Sequence, residues 1–126
     1  MRRSMTFAVA VAVVSLVSAA AAEAAHFSSW GPAQKIDEIA GNNSELNTPF
    51  ADGCPIQSPD GLSLYMASNR PDGGQGLLDI WVAHRTSPNG PSGPPVNLGA
   101  PVNSDAADFC PTPVRGGGLF FVSRRA

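Results

Sequence analysis

The apolar positions of this chain fall into short, separate runs. Phe7 to Val17 is apolar and uncharged. Leu62 to Asn69 and Leu78 to Arg85 are rich in apolar and aromatic side chains, and Leu119-Phe120-Phe121-Val122 is apolar on consecutive positions. Clusters of Gly, Pro, Asn, Asp and Ser separate them, the pattern of short strands joined by many turns. Cys54 to Gln57 reads as a first strand with Pro55 beside its start. Ser58-Pro59-Asp60-Gly61 is a β-turn, with Pro59 pre-setting φ, Gly61 tolerating positive φ and the Asp60 side chain bonding backbone N–H groups. Leu62 to Asn69 is the second strand, Arg70 to Leu77 a loop with three Gly and one Pro, Leu78 to Arg85 the third strand and Val96 to Leu98 a short fourth. A strand with one wet face alternates, so the unbroken run Leu119 to Val122 predicts a strand covered on both faces.

The second half of the chain repeats the first. Asn47, Asp52, Cys54 and Pro55 recur 56 positions later as Asn103, Asp108, Cys110 and Pro111. After one deletion, Leu64, Tyr65, Ser68 and Arg70 recur 55 positions later as Leu119, Phe120, Ser123 and Arg125. Upstream, Gly31-Pro32 matches Gly93-Pro94 and Ile36 matches Leu98. Repetition on this scale means stacked, similar sheets rather than one unique core. The spacing exceeds the roughly 40–50 residues of a propeller blade, and the Pro-rich segment Ser87 to Pro95 accounts for the excess.

The string from Ser58-Pro59-Asp60-Gly61 through Leu64-Tyr65, Ser68-Asn69-Arg70-Pro71, Gly73-Gly74, Gly76 and Asp79-Ile80-Trp81 resembles the TolB-type, WD-like β-propeller repeat of exported bacterial proteins. Trp30 to Pro49 looks like that family's lead-in, so the resemblance spans about Ser29 to the end. The second copy departs from it where Val114-Arg115-Gly116-Gly117 replaces the Ser-Pro-Asp-Gly turn. The resemblance implies an all-β chain forming an incomplete β-propeller: one full four-stranded blade over residues 54–98, a lead-in over residues 25–53 carrying an outer strand of a preceding blade at Ala33 to Ile36, and a partial next blade over residues 99–126. In a closed ring such an outer strand is completed by three strands from the C-terminus, and this chain ends after two strands of its second blade. The expectation is a truncated product or a fragment of a longer gene.

The N-terminus changes the compartment. Arg2 and Arg3, the apolar run and the small-residue stretch Ala19 to Ala25 have the three-part layout of a secretory signal peptide over residues 1–24, with Ala22-Glu23-Ala24 the best cleavage site and Ala20-Ala21-Ala22 a competitor. The apolar run is shorter than the roughly 20 residues of a spanning helix, so a secreted or periplasmic product without a membrane anchor is expected. The whole chain carries a formal charge of −2; losing Arg2, Arg3 and Glu23 makes it −3, with no basic footprint for nucleic acid or anionic lipid. Export implies an oxidising space, where two cysteines usually pair. Cys54 and Cys110 occupy matching repeat positions, and such positions are often farther apart than the about 7 Å between Cα atoms that a bridge allows. Pairing with each other and pairing with a residue this chain lacks both stay open.

Catalytic, cofactor and metal-ligand motifs are not legible. There is no G-x-S-x-G elbow, no H-E-x-x-H and no G-x-x-x-x-G-K. His26 and His84 are isolated. Asn69, Asp72 and Asp79 do not follow the calcium-loop spacing: Asp72 reads as a turn residue, and Asp79 as an acceptor for the neighbouring loop. Asp60 fixes its turn, Tyr65 and Trp81 read as core, and the recurrence of Arg70 and Arg125 suggests a repeated structural pairing with an acidic side chain. The reading is a non-catalytic exported module that binds protein or glycan through loops, able to self-associate through uncovered blade faces; the alternative is a fragment of a propeller-containing hydrolase. N-terminal sequencing of exported material is expected to start at Ala25; intact Met1 in a membrane fraction would contradict the signal peptide.

Overall fold

The computed structural model describes residue 29 and residues 31–126. The signal-peptide segment, Trp30 and His26 lie outside the described residues. Residues 32–126 form one compact unit. It is all-β, built of antiparallel sheets with two single-turn 3-10 helices, Ile36–Glu38 and Ser44–Leu46, before the first strand. Four strands, β1 (Asp52–Gln57), β2 (Ser63–Ser68), β3 (Asp79–His84) and β4 (Val96–Asn97), pair in sequence order. Two more, β5 (Asp108–Pro113) and β6 (Leu119–Ser123), make a separate two-stranded sheet.

The side-chain alternation of a strand sorts the first sheet into two faces. Met66 lies opposite Trp81 and Leu64 opposite Ala83. On this face Met66, Trp81 and Ala83 form the apolar cluster with Leu46 of the second 3-10 helix, and Ile36 and Leu64 pack around it. On the other face Tyr65 lies opposite Val82 and Ala67 opposite Ile80. The second sheet packs there, with β5 against β1, β2 and β3. Strand β3 is therefore buried on both faces from Asp79 to Ala83, and Ile80 and Ala83 have no exposed surface.

The join between the sheets is polar. The Asp108 N–H donates to the Leu78 carbonyl (2.8 Å), in a short parallel bridge between Leu78 and Ala107. Asn103, 2 % exposed, acts as a piece of strand made from a side chain: its Oδ1 accepts from the Ile80 N–H (2.8 Å) and its Nδ2 donates to the Ile80 carbonyl (2.9 Å). Backbone groups left open beside the two-residue β4 are thus satisfied, as burial demands. The loop after β2 closes down on the same region. A Cβ at Gly76 would collide with the backbone oxygens of Ser104 and Ala106, so this position needs glycine for close approach rather than for its φ.

Two expectations are corrected. Ala33 to Ile36 is not a strand: residues 32–35 have no regular structure and Ile36 opens a 3-10 turn. No third strand lies alongside this segment among the described residues, whereas β4, the strand just before the matching residue Leu98, pairs with β3. A strand exists only against a partner. Strand β6 is not covered on both faces either. Its residues alternate between half-buried and exposed, with Phe120 69 % and Val122 46 % exposed. It pairs only with β5, leaving one edge and one apolar face open, which is an association hazard.

Two outcomes follow from this packing. Ile80→Ala is expected to cost about 2–5 kcal/mol in denaturant unfolding at fixed protein concentration. The chain is expected to self-associate in light scattering, and Phe120→Lys with Val122→Lys to lower the apparent mass; an unchanged monodisperse monomer would show that β6 is not sticky.

Candidate functional site

The repeated residues converge on one device, built twice. At Asp52, Oδ2 accepts from the Thr48 N–H (2.6 Å) and hydroxyl (2.7 Å), while Oδ1 accepts from Arg70 Nη2 (2.9 Å). At Asp108, Oδ2 accepts from the Ser104 N–H (2.8 Å) and hydroxyl (2.7 Å), while Oδ1 accepts from Arg125 Nη2 (2.7 Å). Each arginine Nε donates to the serine two residues earlier, Ser68 (3.0 Å) or Ser123 (2.7 Å). Each guanidinium also reaches back to carbonyls ahead of its sheet: Arg70 Nη1 to Glu45 (2.8 Å), Arg125 Nη1 to Pro101 (3.0 Å) and Nη2 to Val102 (2.5 Å). The arginine thus ties β1 to β2, or β5 to β6, and pins the incoming chain to both. Arg70 also lies over the Trp81 ring, 5.0 Å from its centroid, joining the clamp to the core. Burial pushes the Asp108 carboxyl up, but the hydrogen bonds from Arg125, Ser104 and Ser123 outweigh it and hold the group down at about 2. At Asp52 burial likewise opposes, and bonds from Ser68, Thr48 and Arg70 lower it. The predicted arginine pairing is therefore present in both copies. The hydroxyl partner was not foreseen, although a Thr or Ser stands four positions before each Asp.

The other singled-out residues take structural places. Asp60 Oδ1 accepts from the Ser58 hydroxyl (2.5 Å) and the Leu62 N–H (3.0 Å), and these bonds, the hydroxyl first, lower its carboxyl. Asp79 Oδ2 accepts from the Gln75 N–H, the Gly76 N–H (3.3 Å) and Asn97 Nδ2 (3.2 Å). Its Oδ1 is buried without a hydrogen-bond partner among the described residues. Asn69 accepts from the Ala51 N–H (2.8 Å). Among the described residues no group of three or more His, Cys, Asp or Glu is placed to hold a metal ion. Trp81 is core at 5 % exposure, while Tyr65 is only partly buried and lines a groove.

That groove, about 450 Å³, runs between the two equivalent hairpin turns. Ser58, Asp60, Ser63 and Tyr65 form one wall, Pro113 and Arg115 to Gly118 the other. The second turn is one residue shorter than the first: the Val114 N–H donates to the Gly118 carbonyl (2.9 Å), where the Ser58 N–H donates to the Ser63 carbonyl (2.8 Å), and Gly116 (φ 88°) and Gly117 (φ 86°) both occupy the left-handed region. The groove combines one acid, one guanidinium, hydroxyls, one aromatic ring and glycine backbone. Sequence reasoning did not find it, since its two walls lie 48 to 60 residues apart along the chain. It also missed a contact between His84 Nδ1 and Ser63 Oγ (3.0 Å), directly paired in register. The His84 ring is exposed, and among the described residues no carboxylate bonds its other nitrogen, as an oriented nucleophile–base pair requires.

Comparison with family models, with curated proteins and with solved structures found no match.

The clamps give unequal expected losses. Arg70→Ala, with a side chain 7 % exposed against an Asp52 12 % exposed, strands a buried carboxylate and is expected to cost about 3 kcal/mol. Arg125→Ala is expected to cost less, about 1–2 kcal/mol, because Arg125 is 39 % exposed. For pH, a folded pKa held below the unfolded value near 3.9 contributes stability that is complete above about pH 4 and is lost as pH falls toward about 2. Denaturant midpoints at a series of pH values should show this loss, and Asp108→Asn should remove much of it.

Proposed function

We propose that this chain is an exported, non-catalytic repeat module of the TolB-type, WD-like propeller kind, binding protein or glycan through the groove between its hairpin turns. The observation that carries the repeat reading is the duplicated clamp. Two consecutive sheets share the same Asp–Arg–Ser–Thr/Ser bonding, and the same irregularity interrupts pairing between Gly53 and Ile56 in one and between Phe109 and Thr112 in the other. Two sheets built to one plan and packed through their first strands are what stacked blades require. Loops that vary between otherwise equivalent units are where such folds bind, and the two groove turns differ in length and in sequence, Ser58-Pro59-Asp60-Gly61 against Val114-Arg115-Gly116-Gly117. Among the described residues no helix is long and apolar enough to cross a membrane.

A glycan and peptide array probed with the purified chain is the direct test. Binding that falls at least tenfold in Tyr65→Ala with Arg115→Ala supports the groove; binding that ignores both changes overturns it. Hydrolysis of a substrate panel, abolished by Ser63→Ala, would instead favour the hydrolase-fragment reading.

A further inference from the structure

We propose that Cys54 and Cys110 form a disulfide that fastens the first strand of one repeat to the first strand of the next. The two residues hold the same place in the repeat, inside the pairing irregularity of β1 and of β5. Both are non-glycine residues in the left-handed region, φ 48° and 50°. An L-residue rarely adopts that conformation, and here it occurs twice at one repeat position. A bulge of this kind re-aims a side chain out of the ladder. Strands β1 and β5 pack on each other, and the two bulged side chains meet as neighbours. The Cys110 thiol is raised above its ordinary pKa, first by the adjoining Cys54 thiol and then by burial. Both thiols are free here, Cys54 exposed and Cys110 half-buried, and the chain has no other cysteine to compete. Strand β5 packs on β1, so the two repeat positions lie on strands in contact.

The chemistry needs a disulfide oxidant such as oxidised glutathione. The exposed Cys54 loses its proton, and its thiolate attacks one sulfur of the oxidant, giving a mixed disulfide and releasing one glutathione thiolate. Cys110 then loses its proton and attacks Sγ of Cys54, releasing the second glutathione. Two S–H bonds and the oxidant's S–S bond are replaced by one protein S–S bond and two glutathione thiols, a two-electron oxidation of the protein. Because the Cys110 thiol is raised above its ordinary pKa, the resolving step should accelerate as pH rises from 7 to 9. The pairing rests on this geometry and not on the binding reading, and it requires no particular compartment.

The test uses the purified full chain in glutathione buffers, quenched by alkylation and read by mass spectrometry. The expected product is a monomer 2 Da lighter with no alkylated cysteine, and a tryptic peptide pair joining Ile36–Arg85 to Thr86–Arg115. It should persist in a tenfold excess of reduced over oxidised glutathione. Cys110→Ser should stop at the Cys54 mixed disulfide. The melting midpoint of the oxidised wild-type chain should fall by about 10 °C or more on reduction, a stability readout that does not depend on the variants folding. Two alkylated cysteines after oxidation, or a cross-link found only between copies, would overturn the proposal.

Discussion

The buried arginine–aspartate clamp is the interaction on which the rest of the structure depends. One guanidinium holds two strands and the chain entering them, so a small sheet with little apolar area acquires a fixed starting register. A buried ion pair stabilises only when every lone pair and proton is used, since the desolvation of two charges is otherwise uncompensated. At Asp52 both carboxylate oxygens are engaged, and Arg70 donates through Nε, Nη1 and Nη2. The planar fork of arginine is what lets one side chain reach a carboxylate, a hydroxyl and carbonyls at once, which a lysine could not do.

Around the clamp, the two faces of the first sheet are covered by different means. One is covered from within its own unit by Leu46 and Ile36, the other by the following sheet. A unit therefore depends on its successor to cover one face, and the second sheet, which has none in this structure, leaves Phe120 and Val122 exposed. This is the physical content of the repeat: the surface exposed at β6 is the counterpart of the surface buried at β2.

The proposed binding groove and the proposed cross-link both lie where two equivalent segments meet. Repetition places like beside like, so the turns of neighbouring sheets frame a groove and the bulged cysteines become neighbours. Neither arrangement needs a motif in the sequence, because each half comes from a different copy.

Much of the fold was legible in the residues. The strands beginning near Cys54, Leu62, Leu78 and Val96 follow from short apolar runs and turn chemistry, and the structural pairing of Arg70 and Arg125 follows from their recurrence with Asp52 and Asp108. These are local or periodic properties, and the chain states them directly. Tertiary structure decided the rest. The resemblance implied a strand at Ala33 to Ile36, which has no neighbour to pair with among the described residues. Leu119 to Val122 had the composition of a doubly covered strand, yet that environment belongs to Ile80-Trp81-Val82-Ala83, because coverage is supplied by what packs on a strand and not by the strand itself. The meeting of Cys54 with Cys110, and of Tyr65 with the Arg115 turn, depended on how one sheet stacks on the next, a distance that no spacing along the chain encodes.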